Sequence, residues 1–187
     1  MEKIITIGVF LILLSCGSNT EYLKEVNSEK MVKMINESSA NNSDSLNILI
    51  PLEFQLPSDR AKIKRMQLYY MVDGKIQNQI DDYVVMNGET DRKIYGIEEL
   101  KIYPKSIYFL QRNFFISKEY GNRILKKYNK KNVADIQSGD TINVTSYQQF
   151  RKDFPEFVQV LRKKTDSAFF RINIDKELIR DEKKIKW

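Results

Sequence analysis

The stretch Leu46-Asn47-Ile48-Leu49-Ile50-Pro51-Leu52-Glu53-Phe54-Gln55-Leu56 places an apolar side chain at every second position. A strand turns successive side chains to opposite faces, so a period of two specifies a strand with one buried face. Pro51 falls on the opposite parity and lacks an N–H, which predicts an edge strand or a bulge here. The alternation returns at Met66, Leu68, Tyr70 and Val72, and Asp73-Gly74 then reads as a two-residue type I′ turn into Lys75 and Ile76. Asn87-Gly88, after Tyr83-Val84-Val85-Met86, is a second turn signal of the same kind. Further extended segments are expected at residues 100–103, 107–115, 141–145 and 168–174, the last with Ala168, Phe170, Ile172 and Ile174 on one face.

Helical signals come late in the chain. Ser117 can cap a helix in which Tyr120, Ile124 and Tyr128 recur at intervals of four, and Ser146 with Gln149 forms a capping-box pattern ahead of Phe150. Pro155 suits the first turn of another helix, with Phe157, Val160 and Leu161 as its apolar stripe. Strands first and helices inserted late predict an α+β domain on a mostly antiparallel sheet, with a β-sandwich carrying helices as the alternative.

Upstream of Leu46 the chain is polar. One weak helical pattern has Ser28 as its cap and Met31, Val32 and Ile35 as its apolar positions, and the small polar run 38–45 reads as linker. The expected organisation is a leader at 1–15, a tether at 16–45 and a single globular domain at 46–187.

Lys3 is followed by an apolar run over residues 4–14, interrupted only by Thr6 and Gly8. As a helix it would rise about 16 Å, roughly half the hydrocarbon thickness of a bilayer, so it matches the apolar region of a signal peptide rather than a membrane span. It ends in Leu13-Leu14-Ser15-Cys16, which resembles the lipobox of bacterial lipoproteins. The resemblance covers the first 16 residues and implies removal of the leader, a diacylglyceryl group on the Cys16 sulfur, and acylation of the new amine, for example by palmitate. Two or three acyl chains make desorption from a membrane very slow. Gly17 directly after the cysteine implies, by the same resemblance, the periplasmic face of the outer membrane. The first acidic residue after the cysteine is Glu21, and surface display remains an alternative. The abundance of Ile, Lys and Asn with few Ala is similar to that of Bacteroidota proteins.

Counting excludes much of catalysis. The 187 residues are 42% hydrophobic and 30% charged, the balance of a globular body rather than of a disordered or multi-span chain. There is no histidine and only one cysteine, so His-based triads, His-containing zinc sites, CxxC pairs and internal disulfides cannot be built. The closest two of the seven glycines are Gly88 and Gly96, too far apart for GxGxxG, a phosphate loop or GxSxG. Neither a cofactor nor a metal is expected. The acidic pairs Asp81-Asp82, Glu98-Glu99 and Asp181-Glu182 leave one route to acid/base chemistry, since glycoside hydrolysis needs two carboxylates about 5 to 9 Å apart across a cleft. A solvated loop between two strands is the competing reading of Asp81-Asp82, and an exposed turn that of Glu98-Glu99.

The net charge is +6, with basic clusters at 60–65, 123–131, 151–152 and 162–164 and near Trp187. They point to an envelope protein or an anionic envelope component rather than nucleic acid, or else to lysines covering solvent faces. Tyr69-Tyr70 sets one ring on each face of a strand, so one is buried and one exposed. Tyr69, Tyr70 and Trp187 are the candidate partner contacts, docking onto the body being the other reading of Trp187. These features together suggest a non-catalytic binding or structural module of the cell envelope, anchored to the membrane by its lipid. An immunity or inhibitor lipoprotein, and a glycan-binding or glycan-active protein using paired carboxylates and exposed tyrosines, are the alternatives.

Overall fold

A computed structural model describes residues 22–36 and 44–187. Leader residues 1–15, Cys16 and most of the linker stretch lie outside them. In chain order the strands and α-helices are β1 (Lys24–Val26), β2 (Met31–Ile35), β3 (Ser45–Gln55), β4 (Ile63–Val72), β5 (Lys75–Ile76), β6 (Tyr83–Asn87), β7 (Ser106–Ser117), α1 (Lys118–Lys127), β8 (Thr141–Ser146), α2 (Tyr147–Asp153), α3 (Pro155–Arg162), β9 (Asp166–Ile174) and β10 (Glu177–Lys184). One sheet runs β6-β7-β3-β2-β8 with β1 also on β3; the other runs β10-β9-β4-β5. Every named strand pair is antiparallel, and the helices fall late in the chain, the α+β arrangement that the sequence predicts.

The two sheets face each other through aromatic side chains. Phe109 of β7 lies 5.3 Å from Phe54 of β3, 5.9 Å from Tyr70 of β4 and 6.4 Å from Phe170 of β9, ring centre to ring centre. All four are fully buried. The helices pack at one side, where Phe150 and Phe157 meet edge to face and Phe114 of β7 meets both Phe157 and Trp187.

The alternating stretch is a strand, and it is central rather than at an edge. β3 pairs with β7 along its length, while on its other side β2 covers Asn47 to Leu49 and β1 covers Glu53 to Gln55. Pro51 falls in the gap between β2 and β1, where a missing N–H costs no ladder bond, and the β3–β7 register shifts nearby, between Ile48 and Ile50.

That gap corrects the expected tether. Residues 22–36 are not a linker with a weak helix; they supply β1 and β2, and Leu23, Val32 and Met34 are completely buried. In Met31-Val32-Lys33-Met34-Ile35 the inward positions are 32 and 34, a period of two, so the globular body begins by Tyr22 rather than at Leu46. Ser28 caps no helix. It is buried, and its hydroxyl donates to Glu53 Oε2 at 2.9 Å, while the Ser106 hydroxyl donates to Oε1 of the same carboxylate at 2.7 Å.

Asp73-Gly74 forms the expected tight turn, with φ of 49° and 74° joining Val72 to Lys75. Asn87-Gly88 opens a longer loop, in which Asn87 Oδ1 accepts from the amides of Glu89 and Thr90. A Cβ at Gly88 would collide with Ser106, whose carbonyl accepts the Gly88 amide at 2.8 Å. Residues 100–103 are not a strand but an irregular segment; Tyr103 is buried there, and its hydroxyl accepts the Met66 amide at 2.9 Å.

The serine caps form as expected: Ser117 Oγ accepts from Tyr120 N and Ser146 Oγ from Gln149 N. The capping box at Ser146 is only half made, because the Gln149 side chain donates to Asp153 instead of reaching back. In α3 the buried stripe is Phe157, Val158 and Leu161, whereas Val160 is exposed.

Met34 distinguishes a strand of the core from a tether. Met34→Ala should lower stability by about 2–5 kcal/mol in urea denaturation, and a chain cut to start at Leu46 should lose cooperative unfolding altogether.

Candidate functional site

The parity of β4 sets the candidate site. Tyr70 points into the core and is fully buried, so Tyr69 points out, where it is 36% exposed with its ring 6.3 Å from that of Phe169. The chain turns at Asp73-Gly74, runs back as β5, and continues into a loop over residues 77–82 held by the Gln77 amide donating to the Tyr70 carbonyl at 2.8 Å. Asn78 fixes that loop: its amide donates to Asp82 Oδ2 at 2.7 Å and its side chain to Asp81 Oδ2 at 2.6 Å. Gln79 Nε2 reaches the Ile94 carbonyl at 3.1 Å and ties the loop to residues 94–98.

Between these segments lies a cleft of about 270 Å³. Tyr83, packed edge to face on Tyr70, and Ile97 are buried residues in its lining; Gln67, Gln77, Asn78 and Gln79 also line it, the last three each donating one side-chain N–H within the protein, to Lys75 O, Asp81 Oδ2 and Ile94 O, and Tyr69 and Tyr95 are its exposed rings. Tyr95 is 71% exposed. Among the described residues Glu98 is the single charged side chain of the lining. Ile80, next to Gln79, holds φ at 87°, a conformation that costs a β-branched residue about 1–3 kcal/mol and that recurs at binding and catalytic sites.

The sequence-derived candidates distribute unevenly around this cleft. Of Tyr69, Tyr70 and Trp187, only Tyr69 reaches the surface. Tyr70 is fully buried, and Trp187 is 2% exposed, docked on Phe114, with its main-chain oxygen accepting from Arg151 and Arg162. Of the acidic pairs, Glu98 alone lines the cleft. Asp81 and Asp82 bind the loop that carries Asn78, Glu99 is exposed, Asp181 pairs with Lys183 at 3.1 Å, and Glu182 lines a different hollow beside Lys184. Among the described residues no group of three or more acidic or thiol side chains is placed to hold a metal ion. Cys16 lies outside the described residues. Sequence reading passed over Gln67, Gln77, Gln79 and Tyr95.

A second polar constellation is wholly internal. The Tyr70 hydroxyl lies 2.9 Å from Gln111 Oε1 and 2.9 Å from Asp166 Oδ2. One phenolic proton cannot satisfy two acceptors, so either Asp166 holds a proton and donates it to Tyr70, or the Gln111 amide is turned to present its NH2. Burial raises the Asp166 pKa, against the pull of the Tyr70 hydroxyl and the Lys164 ammonium. The Trp187 indole also favours the charged form but closes no aligned hydrogen bond, and Asp166 Oδ1 stays without a partner.

A carboxyl whose pKa rises on folding contributes stability that is complete below its unfolded pKa and is lost as the pH climbs through the folded value. Asp166→Asn, which keeps an acceptor and adds a donor, should therefore flatten the fall in stability above about pH 4 and match or exceed the parent at pH 7, as read by urea denaturation across pH. Comparison with protein-family models, with curated proteins and with solved structures finds no match to this chain.

Proposed function

We propose that the protein is a non-catalytic binding module, held at the periplasmic face of the outer membrane by acyl chains on Cys16, and that the cleft beside Tyr69 takes a short, uncharged saccharide segment of the cell envelope. The single observation that carries this reading is the lining: four neutral amides beside two exposed tyrosine rings, with one carboxylate among them. Gln77, Asn78 and Gln79 each spend one N–H inside the protein, which leaves a second N–H and the amide oxygen to match sugar hydroxyls, and a tyrosine face accepts the apolar face of a pyranose ring. The volume is at the small end of ligand clefts, which suits a short segment.

The cations support an uncharged ligand over an anionic one. Arg123 is bound to Glu156 at 2.6 Å and lies over the Tyr120 ring, Lys127 pairs with Asp153, and Arg151 and Arg162 hold the Trp187 carbonyl. Several of the basic clusters are thus occupied in packing the helices and the Trp187 segment.

Titration of the full chain with neutral oligosaccharide fragments of the envelope, followed by saturation-transfer NMR and calorimetry, tests this. Tyr69→Ala and Tyr95→Ala should each weaken binding roughly tenfold, about 1.4 kcal/mol, while Glu98→Gln leaves it unchanged and the saccharide is recovered intact. Absence of saturable binding to the parent chain, or cleavage of the ligand that stops in Glu98→Gln, would overturn the reading.

A further inference from the structure

The end of the fold at which the N-terminal segment arrives is fixed by the pairing of β1. Lys24 lies opposite Gln55 on β3, and Gln55 lies opposite Ser106 on β7, so Lys24, Gln55 and Ser106 form one row across the sheet. Residues before Lys24 run past that row, on the same side as residues 56–62 and 100–105. The Lys105 carbonyl, accepting the Leu56 amide at 2.9 Å, pins the last two segments together.

This end carries Ile102, 86% exposed and, among the described residues, the most exposed of the large apolar side chains. The segment around it is not loose: Tyr103 is buried and bound to the Met66 amide, and Pro104 is buried. Ile102 is therefore held outward by its neighbours, between the exposed lysines Lys101 and Lys105. Only six residue steps separate Cys16 from Tyr22, at most about 20 Å of extended chain.

We infer that this end of the body rests on the phospholipid leaflet that carries the anchor, with Ile102 seated among the headgroups and Lys101 and Lys105 reaching the lipid phosphates. The inference rests on the acylation of Cys16 and adds to it a direction: a span this short holds the row Lys24–Gln55–Ser106 against the membrane rather than far from it. Charge at this end is mixed, with Asp59 beside Arg60 and Lys62 and with Glu89 3.9 Å from the Lys105 ammonium, which stays largely exposed, so the isoleucine rather than a charge excess selects lipid over water. The lysines follow the usual interfacial pattern, with apolar stems along the side chain they flank and ammonium groups at the phosphates.

The test uses the acylated full chain in vesicles of phosphatidylethanolamine and phosphatidylglycerol. Ile102→Cys and, separately, Glu119→Cys are labelled with an environment-sensitive fluorophore; Glu119 lies just past the far end of β7, and an acylated Cys16 sulfur takes no label. Quenching by aqueous iodide should be at least about threefold weaker at position 102 than at position 119, with blue-shifted emission only at 102. Equal quenching at both positions on protein that floats with the vesicles would overturn the orientation and leave the anchor standing. Protein that fails to float and still reacts at Cys16 would overturn both.

Discussion

Phe109 is the contact on which the arrangement of the two sheets turns. Its ring meets Phe54, Tyr70, Tyr83 and Phe170, side chains from both sheets, in a space from which water is excluded. Such rings bury large apolar areas and gain further from tilted and edge-to-face packing. Seating Tyr70 inward in this cluster obliges Tyr69 to face out, and seating Tyr83 beside it gives the cleft its floor. The candidate binding surface is in this sense a by-product of core packing: the same strand positions that close the interior fix the spacing of what stands outside.

The segments legible in the sequence are those whose pattern admits one reading. Strict alternation at 46–56 and 66–72, the Asp73-Gly74 turn and the serine caps at Ser117 and Ser146 are found where the pattern places them. β2 was illegible because five residues, Met31-Val32-Lys33-Met34-Ile35, satisfy a helical and an extended spacing alike, and the choice is made by β3 and β8, remote in sequence. In α3 the docking of Phe154 extends the stripe to 154, 157, 158 and 161, which turns Val160 outward. Pro51 was readable as a sheet irregularity, but that β3 is central depends on two short strands leaving a gap beside it. Of the cleft, parity announced Tyr69 and nothing more. Glutamines at 67, 77 and 79 carry no spacing signal of their own and meet Tyr95 only because the loop over 77–82 is tied to Ile94.

Charge is handled differently inside and outside. The interior holds a carboxyl, a phenol and an amide in contact, a group that is costly to bury unless its protons are shared well. Asp166 belongs to the seam where Trp187 docks, since the Ile185 amide donates to the Asp166 carbonyl and Arg151 and Arg162 grip the residue that follows Lys186. Glu25, its pKa raised by burial, accepts the Lys186 amide and so joins β1 to the same seam. The polar groups of this region hold the first and last described segments together, whereas those lining the cleft are neutral apart from Glu98.

The place of β2 between β3 and β8 also governs how the molecule assembles. A strand near the beginning of the described chain waits for residues 141–146 before its second edge is covered, and Trp187 must arrive before the aromatic cluster around Phe114 is shut. Contacts of such long sequence separation form slowly, so a polypeptide emerging N-terminus first spends most of its synthesis with Val32 and Met34 unsheltered. Until the last strand has emerged, a chain of this kind keeps those apolar side chains open to non-native contacts.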